Sequence, residues 1–119
     1  MNIQTISRTT GLSAHTLRYY EKIGLLLDIK RDRKGHRFYR EKDLIWIEFI
    51  KRLKATSMPL SEMKQFARLR SKGNKTISQR VELLRQHESR IEQQMQALES
   101  HRDRVREKIQ LCLQGDDSR

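Results

Sequence analysis

Residues 13–26 read SAHTLRYYEKIGLL, a stretch with a start and a stop signal for one short helix. Ser13 is a preferred residue for the N-terminal cap of a helix, and Gly24 supplies a stop about three turns later. The stretch therefore predicts a short helix over residues 14–22 with a signal at each end.

A second short helix is expected immediately before it. Asn2 is a candidate N-cap, Ile3 and Ile6 supply an apolar face, and Gly11 follows where a helix would stop. Because only residues 11–13 separate the two helices, the sequence predicts a helix-turn-helix. Many helical hairpins share this spacing, so the pattern alone does not assign a function.

The second helix carries the chemistry expected of a helix that reads DNA. A helical wheel places His15, Arg18, Tyr19 and Lys22 on one face, with Thr16 close to it. Arg18 is the best candidate for a bidentate contact with a phosphate or a guanine. For Tyr20, packing and a phosphate contact both remain open.

A basic stretch, residues 30–39, is expected to form a two-stranded wing. Gly35 can supply the positive φ of a hairpin tip, and Phe38 and Tyr39 favour packing over the alternative of a disordered linker. The crowded cations favour a polyanionic ligand and are Lys30, Arg31, Arg33, Lys34, His36 and Arg37. The histidines and the cysteine lack metal-ligand spacing, so we expect neither a metal nor a cofactor.

Two further helices are expected to complete a small domain. Residues 41–55 form the third, with a core face of Leu44, Ile47, Ile50 and Leu53. Pro59 interrupts the chain, and Ser61 is expected to cap a fourth helix over residues 62–71. Trp46 and Phe49 widen the apolar face of the third helix. The protein could therefore bind a small apolar ligand beside these two rings, or it could have no ligand at all.

The last long segment, residues 76–113, contains neither glycine nor proline. Its seam residues alternate spacings of four and three, which indicates a dimerising coiled coil. These candidate interface residues are Ile77, Val81, Leu84, Glu88, Ile91, Met95, Leu98, Arg102, Val105, Ile109 and Cys112. Glu88 and Arg102 are the charged members, and each would meet its own copy in a parallel pair, so the sequence favours an antiparallel homodimer.

The charge is distributed unevenly along these 119 residues. Residues 1–75 hold 18 Lys and Arg against 7 Asp and Glu, whereas residues 76–119 hold 8 of each, so the formal net charge of +11 belongs to the first part. A phosphate backbone is the commonest partner for such a module. We expect a DNA-binding domain over 1–75, a dimerisation helix over 76–113 and a flexible tail over 114–119.

Several classes of protein are disfavoured. There is no secretory signal, no apolar run long enough to span a bilayer and a single cysteine, all of which favour a cytoplasmic protein without membrane contact. Paired acids, a nucleophile beside a base and a glycine-rich phosphate loop are lacking, so we do not expect an enzyme. A nonspecific architectural DNA binder and a scaffold for an acidic protein remain as alternatives.

Three segments together resemble the MerR family of transcription regulators: residues 13–26, the run GHRFY at 35–39, and Asp43–Leu44. The resemblance implies a mainly α fold, a winged helix-turn-helix followed by a long antiparallel coiled-coil helix. It also implies a homodimer that binds an inverted repeat in double-stranded promoter DNA and distorts it for RNA polymerase. The DNA contacts expected are Ser13, His15, Thr16, Arg18, Tyr19, Tyr20, Arg31, Lys34, His36, Arg37 and Tyr39, with His15 nearest the base edges.

The chain departs from that family at informative places. Leu27 and Asp28 stand where a proline is usual, and His36 replaces a more frequent tyrosine. The short subgroup that responds to aldehydes and other electrophiles has a cysteine in the third helix, but residues 50–54 contain none. Cys112 stands alone, whereas metal-sensing members pair two cysteines near the end of the long helix. The effector, the operator and the regulated genes therefore stay open, and little chain is left for a separate ligand domain.

Overall fold

The computed structural model describes residues 1–115, and the chain is mainly helical with one small hairpin, as predicted. The elements in order are α1 (Ile3–Thr10), α2 (Ala14–Lys22), β1 (Lys30–Arg31), β2 (Arg37–Phe38), α3 (Glu41–Ala55), α4 (Leu60–Ser71), a 3₁₀ turn (Gly73–Thr76) and α5 (Ile77–Leu113). Contacts divide the chain into two compact units, residues 1–83 and a second that begins at Leu84. Most of the predicted tail, residues 116–119, lies outside the described residues.

Capping side chains set the helix-turn-helix, and the sequence predicted its boundaries. The Asn2 Oδ1 accepts a hydrogen bond from the Thr5 N–H at 2.8 Å, and the Ser13 Oγ accepts one from the Thr16 N–H at 3.0 Å. Gly11 ends α1 with a φ of +75°, a left-handed conformation that costs glycine little. These local contacts place α2 beside α1 with its polar face outward.

The wing is a two-stranded antiparallel sheet in which Lys30 pairs with Phe38 and Arg31 with Arg37. Its turn is held by the Asp32 carboxylate, whose Oδ1 accepts hydrogen bonds from the N–H groups of Lys34 and His36, each at 2.9 Å. Gly35 has a φ of +82°, as predicted for the tip. The basic run is therefore an ordered hairpin and not a flexible linker.

Helix α3 supplies much of the core. Ile47, Ile50 and Leu53 are buried as predicted, but Leu44 is only half-buried, and Trp46 is buried instead. The Trp46 ring stacks on the Phe66 ring with their centroids 5.3 Å apart, and the Trp46 Nε1 donates a hydrogen bond to the Leu25 carbonyl. This ring is therefore part of the core, which leaves little of its surface for the ligand considered above.

The start of α3 explains why an acid is buried there. The Asp43 Oδ2 accepts hydrogen bonds from the Arg40 N–H at 2.9 Å and the Arg40 Nε at 3.1 Å. The same guanidinium donates to the Asp28 carbonyl at 2.9 Å. This capping arrangement satisfies the helix end and ties it to the segment before the wing.

The predicted cap of α4 is wrong. The helix begins at Leu60 with Pro59 as the N-cap, so Ser61 lies inside the first turn. The Pro59 carbonyl accepts hydrogen bonds from the N–H groups of Glu62 and Met63, which starts the helix without a side-chain cap. Proline favours such a position because its fixed φ needs no ordering and its missing N–H is not required there.

Helix α5 contains 37 residues, close to the predicted span. Much of its apolar seam is exposed in the single chain, including Val81, Met95, Leu98, Val105 and Ile109. Within residues 1–115, no helix combines the length and the apolar character needed to cross a membrane.

Candidate nucleic-acid interface

The polar face of α2 is open to solvent. His15, Arg18, Tyr19 and Lys22 are all exposed, whereas Leu17 on the opposite side is completely buried. The spacing of these residues is what one helix needs to pack on α1 and still present donors outward. The face offers a guanidinium, an ammonium, an imidazole and a phenol to a ligand.

Two of the predicted contact residues, Ser13 and Thr16, use their hydroxyl groups at the N-terminal cap of α2. The Ser13 Oγ accepts the Thr16 N–H and also donates to the Thr16 Oγ1 at 2.9 Å. Both hydroxyls therefore take part in capping α2. Any contact they make with a ligand is additional to that structural role.

Glu21 joins α2 to the wing, a feature that sequence reasoning missed. Its Oε1 accepts a hydrogen bond from the Arg37 Nε at 2.6 Å, and its Oε2 lies 3.6 Å from the Arg31 Nη2. The Glu21 and Arg37 side chains are partly shielded from solvent, and the Arg31 side chain is about half exposed. The carboxylate offsets the repulsion between the two arginines and holds the hairpin against the helix. A contact between residues so far apart in sequence gives no periodic signal.

The tip of the wing keeps its cations in solvent. Lys34 is exposed, and His36 is exposed with its Nδ1 3.7 Å from the Asp32 Oδ2. Like charges at a hairpin tip gain most from a polyanion that approaches from outside. Both residues are open to a ligand that approaches from solvent.

The two remaining tyrosines are core residues. Tyr20 is buried, and its hydroxyl accepts a hydrogen bond from the Lys54 Nζ at 2.9 Å, which favours packing. Tyr39 is 1% exposed, so it does not lie on the surface of this chain, and the expected contact with DNA stays a prediction. Its ring fills the base of the wing, because the alternation of the strand turns Phe38 outward and Tyr39 inward. Burial raises the pKa of the Tyr39 hydroxyl, while the positive charge of Arg37 acts in the opposite direction.

A cleft of about 420 Å³ brings several of these groups together. We call it the α1–wing cleft. It is lined by Asn2, Ile3, Gln4, Arg18, Arg31, Asp32, Gly35, His36 and Arg37. Four predicted contact residues lie here, and the three residues at the start of α1 are additions that the sequence did not indicate.

The exposed side chains of α2 and the wing supply mainly hydrogen-bond donors and positive charge. Among residues 1–115 there is no cluster of three His, Cys, Asp or Glu side chains that could hold a metal ion. An outward helix face flanked by a basic hairpin fits the phosphates and base edges of a duplex. The fold and this surface define a winged helix-turn-helix protein of the DNA-binding class.

Comparison with known protein families also assigns the chain to the DNA-binding proteins, and it identifies one family within that class. Residues 1–69 match the family described as "MerR HTH family regulatory protein", and residues 44–109 match the one described as "MerR, DNA binding". The chain belongs to the MerR family of transcriptional regulators.

Two curated relatives come from Bacillus subtilis. The HTH-type transcriptional regulator AdhR is 37% identical over 90 residues, which are 76% of this chain and 64% of AdhR. The uncharacterized HTH-type transcriptional regulator YyaN is 38% identical in an alignment of 98 positions that covers 72% of this chain and 71% of that protein. A relative from Haemophilus influenzae is matched over 54% of its length, so the chain spans between about half and about seven tenths of these three proteins.

Two solved structures are similar over nearly the whole chain. A putative MerR family regulator from Listeria monocytogenes has a TM-score of 0.87 and 31% identity, with 93% of this chain and 84% of that chain covered. HiNmlR, a MerR family regulator lacking the sensor domain and bound to promoter DNA, has a TM-score of 0.83 and 30% identity, with 98% and 96% covered.

Proposed function

We propose that the protein is a sequence-specific transcription regulator that binds an inverted repeat in promoter DNA as a homodimer. In this proposal α2 enters the major groove, the wing lies along the backbone, and two copies read two half-sites. Deformation of the DNA between the half-sites would control access of RNA polymerase to the promoter. The relatives are named as regulators and not as enzymes, and HiNmlR is described as bound to promoter DNA.

One observation supports the reading role above all others. The exposed face of α2 and the basic wing are fixed to each other by Glu21, which binds Arg37 and Arg31. A helix that reads bases and a hairpin that binds phosphates must keep a constant offset to hold one register on a duplex. The ion pairs supply that offset.

Under this proposal the contacts divide by chemistry. His15, Arg18 and Tyr19 reach base edges or nearby phosphates from α2, and Ser13 and Thr16 assist at its first turn. Arg31, Lys34, His36 and Arg37 bind phosphates from the wing. Residues 1–75 then form the DNA-binding domain and residues 76–113 the dimerisation helix.

The homodimer is supported by the exposed seam of α5. Leu98 is 68% exposed and Val105 60% exposed, although both belong to a seam in which Glu88 and Arg102 are the charged members. An apolar stripe of this length gains stability when a second copy covers it. The exposed Cys112 continues the same stripe and is proposed as an interface residue.

The two charged seam residues favour an antiparallel pair. In a parallel pair Glu88 would face its own copy, and so would Arg102. In an antiparallel pair centred near Met95, Glu88 faces either the partner's Leu98 or the partner's Val105. In both registers the partner's Arg102 lies one helical turn away, within reach of an ion pair. Such a pair selects the register more than it adds stability.

Selection of bound sequences from a random DNA pool tests the proposal. We expect the enriched sequences to converge on two inverted half-sites, because a two-fold dimer reads the same bases twice. A pool that stays random after repeated rounds would support a nonspecific DNA binder instead. Absence of DNA retention at physiological salt would support a protein scaffold.

A further inference from the structure

The connection between α4 and α5 is held by side chains that belong neither to the DNA-binding surface nor to the apolar seam. It consists of Lys72, the C-cap of α4, and the 3₁₀ turn, in which Gly73 has a φ of +81°. A glycine followed by Asn74 is typical of a flexible connector. Thr76, however, is 4% exposed, so the connection ends in a residue that is packed into the protein.

The Thr76 hydroxyl joins the end of α4 to the start of α5. Its Oγ1 donates to the Leu69 carbonyl at 2.5 Å and lies 3.0 Å from the Gly73 carbonyl, and these two acceptors share its single hydrogen. The Leu69 carbonyl is in the last turn of α4, where a helix leaves its carbonyls without an intrahelical partner. The same Thr76 oxygen accepts a hydrogen bond from the Arg80 Nε at 3.2 Å.

Arg80 adds a second bond from the first turn of α5. Its Nη2 donates to the Gly73 carbonyl at 3.0 Å, so one planar guanidinium binds both ends of the 3₁₀ turn. The Arg80 side chain is half-buried and is therefore not a freely solvated cation. We call Thr76, Arg80 and the carbonyls of Leu69 and Gly73 the α4–α5 junction.

The end of α4 is also tied to the part of the chain that carries the DNA-binding surface. The Arg70 guanidinium, next to Leu69, donates to the Lys42 carbonyl of α3 at 2.9 Å and lies 5.3 Å from the centroid of the Trp46 ring. The Trp46 Nε1 donates to the Leu25 carbonyl, just beyond the end of α2, at 2.8 Å. A short series of direct contacts therefore connects the α4–α5 junction with α2.

Helix α5 begins inside the first compact unit and continues without a break to Leu113. An unbroken helix bends only gently, so the orientation of its first turn determines the orientation of the seam that follows. In a two-fold dimer the seam fixes the two copies of α5 to each other. Two rigid junctions then hold the two copies of α2 at one separation, and that separation determines the spacing of the half-sites.

We propose that Thr76 and Arg80 are positioning residues that set the half-site spacing accepted by the dimer. They hold the start of α5 at one angle to the domain that carries α2. Without their bonds, Gly73 and Asn74 would allow several angles, and the dimer would accept operators of several lengths. The role in spacing rests on the proposed function, whereas the rigidity of the α4–α5 junction is a property of the single chain.

Four variants separate the contribution of the bonds from that of packing and charge. Thr76→Val removes the hydroxyl and keeps the side-chain volume, whereas Thr76→Ser keeps the hydroxyl. The fold should tolerate the valine, because the Leu69 carbonyl also accepts the Lys72 N–H at 3.1 Å. Arg80→Ala removes the guanidinium from a half-buried position, and its control is Arg68→Ala, which removes an exposed cation from α4.

The distance between two spin labels in one chain measures the rigidity of the α4–α5 junction. The labels are attached at the exposed positions Gln65→Cys in α4 and Gln93→Cys in α5, in a Cys112→Ser background diluted with unlabelled protein. We expect a narrow distribution of distances for the unchanged junction and for Thr76→Ser, and a broader one for Thr76→Val and Arg80→Ala. A distribution that stays narrow in Thr76→Val would overturn the proposal, and so would one that Thr76→Ser broadens equally.

Binding to operators of altered length tests the role in spacing. The duplexes are the selected operator and two versions with the half-sites one base pair closer together or farther apart. The wild type should prefer the selected spacing by about tenfold, and Thr76→Val and Arg80→Ala by about threefold or less. Thr76→Ser and Arg68→Ala should keep the tenfold preference, and all variants should bind a single half-site equally, because the surface of α2 is unchanged.

Two outcomes of the binding experiment would contradict the role in spacing. The first is an unaltered preference in a variant whose label distances are broadened. The second is a random DNA pool that yields no preferred sequence, which would overturn the regulator function and the role in spacing together. The label distances need no DNA, so they distinguish failure of the α4–α5 junction from failure of the proposed regulator function.

Discussion

At the scale of single residues, Glu21 decides how the basic surface is organised. Its carboxylate binds Arg37 and Arg31, so two charges that would repel each other are held in place beside α2. Arginine suits this position because its planar fork can bind the acid with one edge and a phosphate with another. One acid thus converts a crowded set of cations into an ordered surface.

Arg18 is the residue whose loss should weaken DNA binding most specifically. We expect Arg18→Ala to cost about 1–3 kcal/mol of binding free energy on the selected operator, since a bidentate or charged contact is lost. Fluorescence anisotropy at physiological salt measures it. Arg68→Ala, which removes an exposed cation from α4, is the control. Operator binding by Arg18→Ala that equals that of the control would contradict the assignment.

Tyr39→Phe should separate stability from binding. Removing a buried hydroxyl without a partner is expected to leave the free energy of unfolding unchanged or to raise it by about 1 kcal/mol. If the hydroxyl donates to a phosphate, DNA affinity should fall by a few fold in the same variant. Chemical denaturation and anisotropy give the two values. A lower free energy of unfolding would show that the hydroxyl has a partner in solution.

At the scale of elements, the local signals at α1 and α2 gave correct predictions, whereas the cap of α4 and the contacts between distant residues were not predicted. Asn2 and Ser13 are caps whose partners lie three residues away, so the bounds of α1 and α2 follow from short-range chemistry. The prediction that Ser61 caps α4 was wrong, because Pro59 is the N-cap and the helix starts without a side-chain cap. The bond between Glu21 and Arg37 and the inward direction of Tyr39 depend on how the wing folds onto α2. Nothing in the spacing of those residues reveals that packing.

The wing should contribute affinity without selectivity. We expect Arg37→Ala to weaken binding to the operator and to random DNA alike, and to reduce the slope of log affinity against log salt by about one. Arg37→Lys should recover only part of the loss, because a single ammonium cannot bind Glu21 and a phosphate in the geometry of the fork. A salt titration of the three proteins measures both effects. An unchanged slope in Arg37→Ala would mean that this side chain serves Glu21 alone.

At the scale of the whole molecule, the central question is how two copies assemble. The single chain leaves Met95 half-exposed and Leu98 and Val105 more exposed still, on a helix whose seam is apolar at every position except Glu88 and Arg102. Glu88 and Arg102 are both exposed, and the Arg102 Nη2 lies 3.3 Å from the Oδ1 of the neighbouring Asp103. The sequence alone suggested this antiparallel seam.

Exchange of the two seam charges tests the pairing. Glu88→Arg alone should weaken dimerisation, because it places like charges near each other across the interface. Adding Arg102→Glu should largely restore it, since the ion pair is recreated with the signs reversed. Sedimentation equilibrium of the single and double variants gives the coupling free energy. A double variant as impaired as the sum of the two singles would mean that these residues do not meet.

The most direct test of the regulator function is the ratio of affinities for the selected inverted repeat and for a scrambled duplex of equal length, measured at physiological salt. A sequence-specific dimer should prefer the repeat by about a thousandfold or more. A single half-site should be bound much more weakly than the repeat, because only one reading helix of the dimer is then engaged. A ratio within about tenfold would instead match a protein that binds the phosphate backbone without reading bases, and would contradict the proposed function.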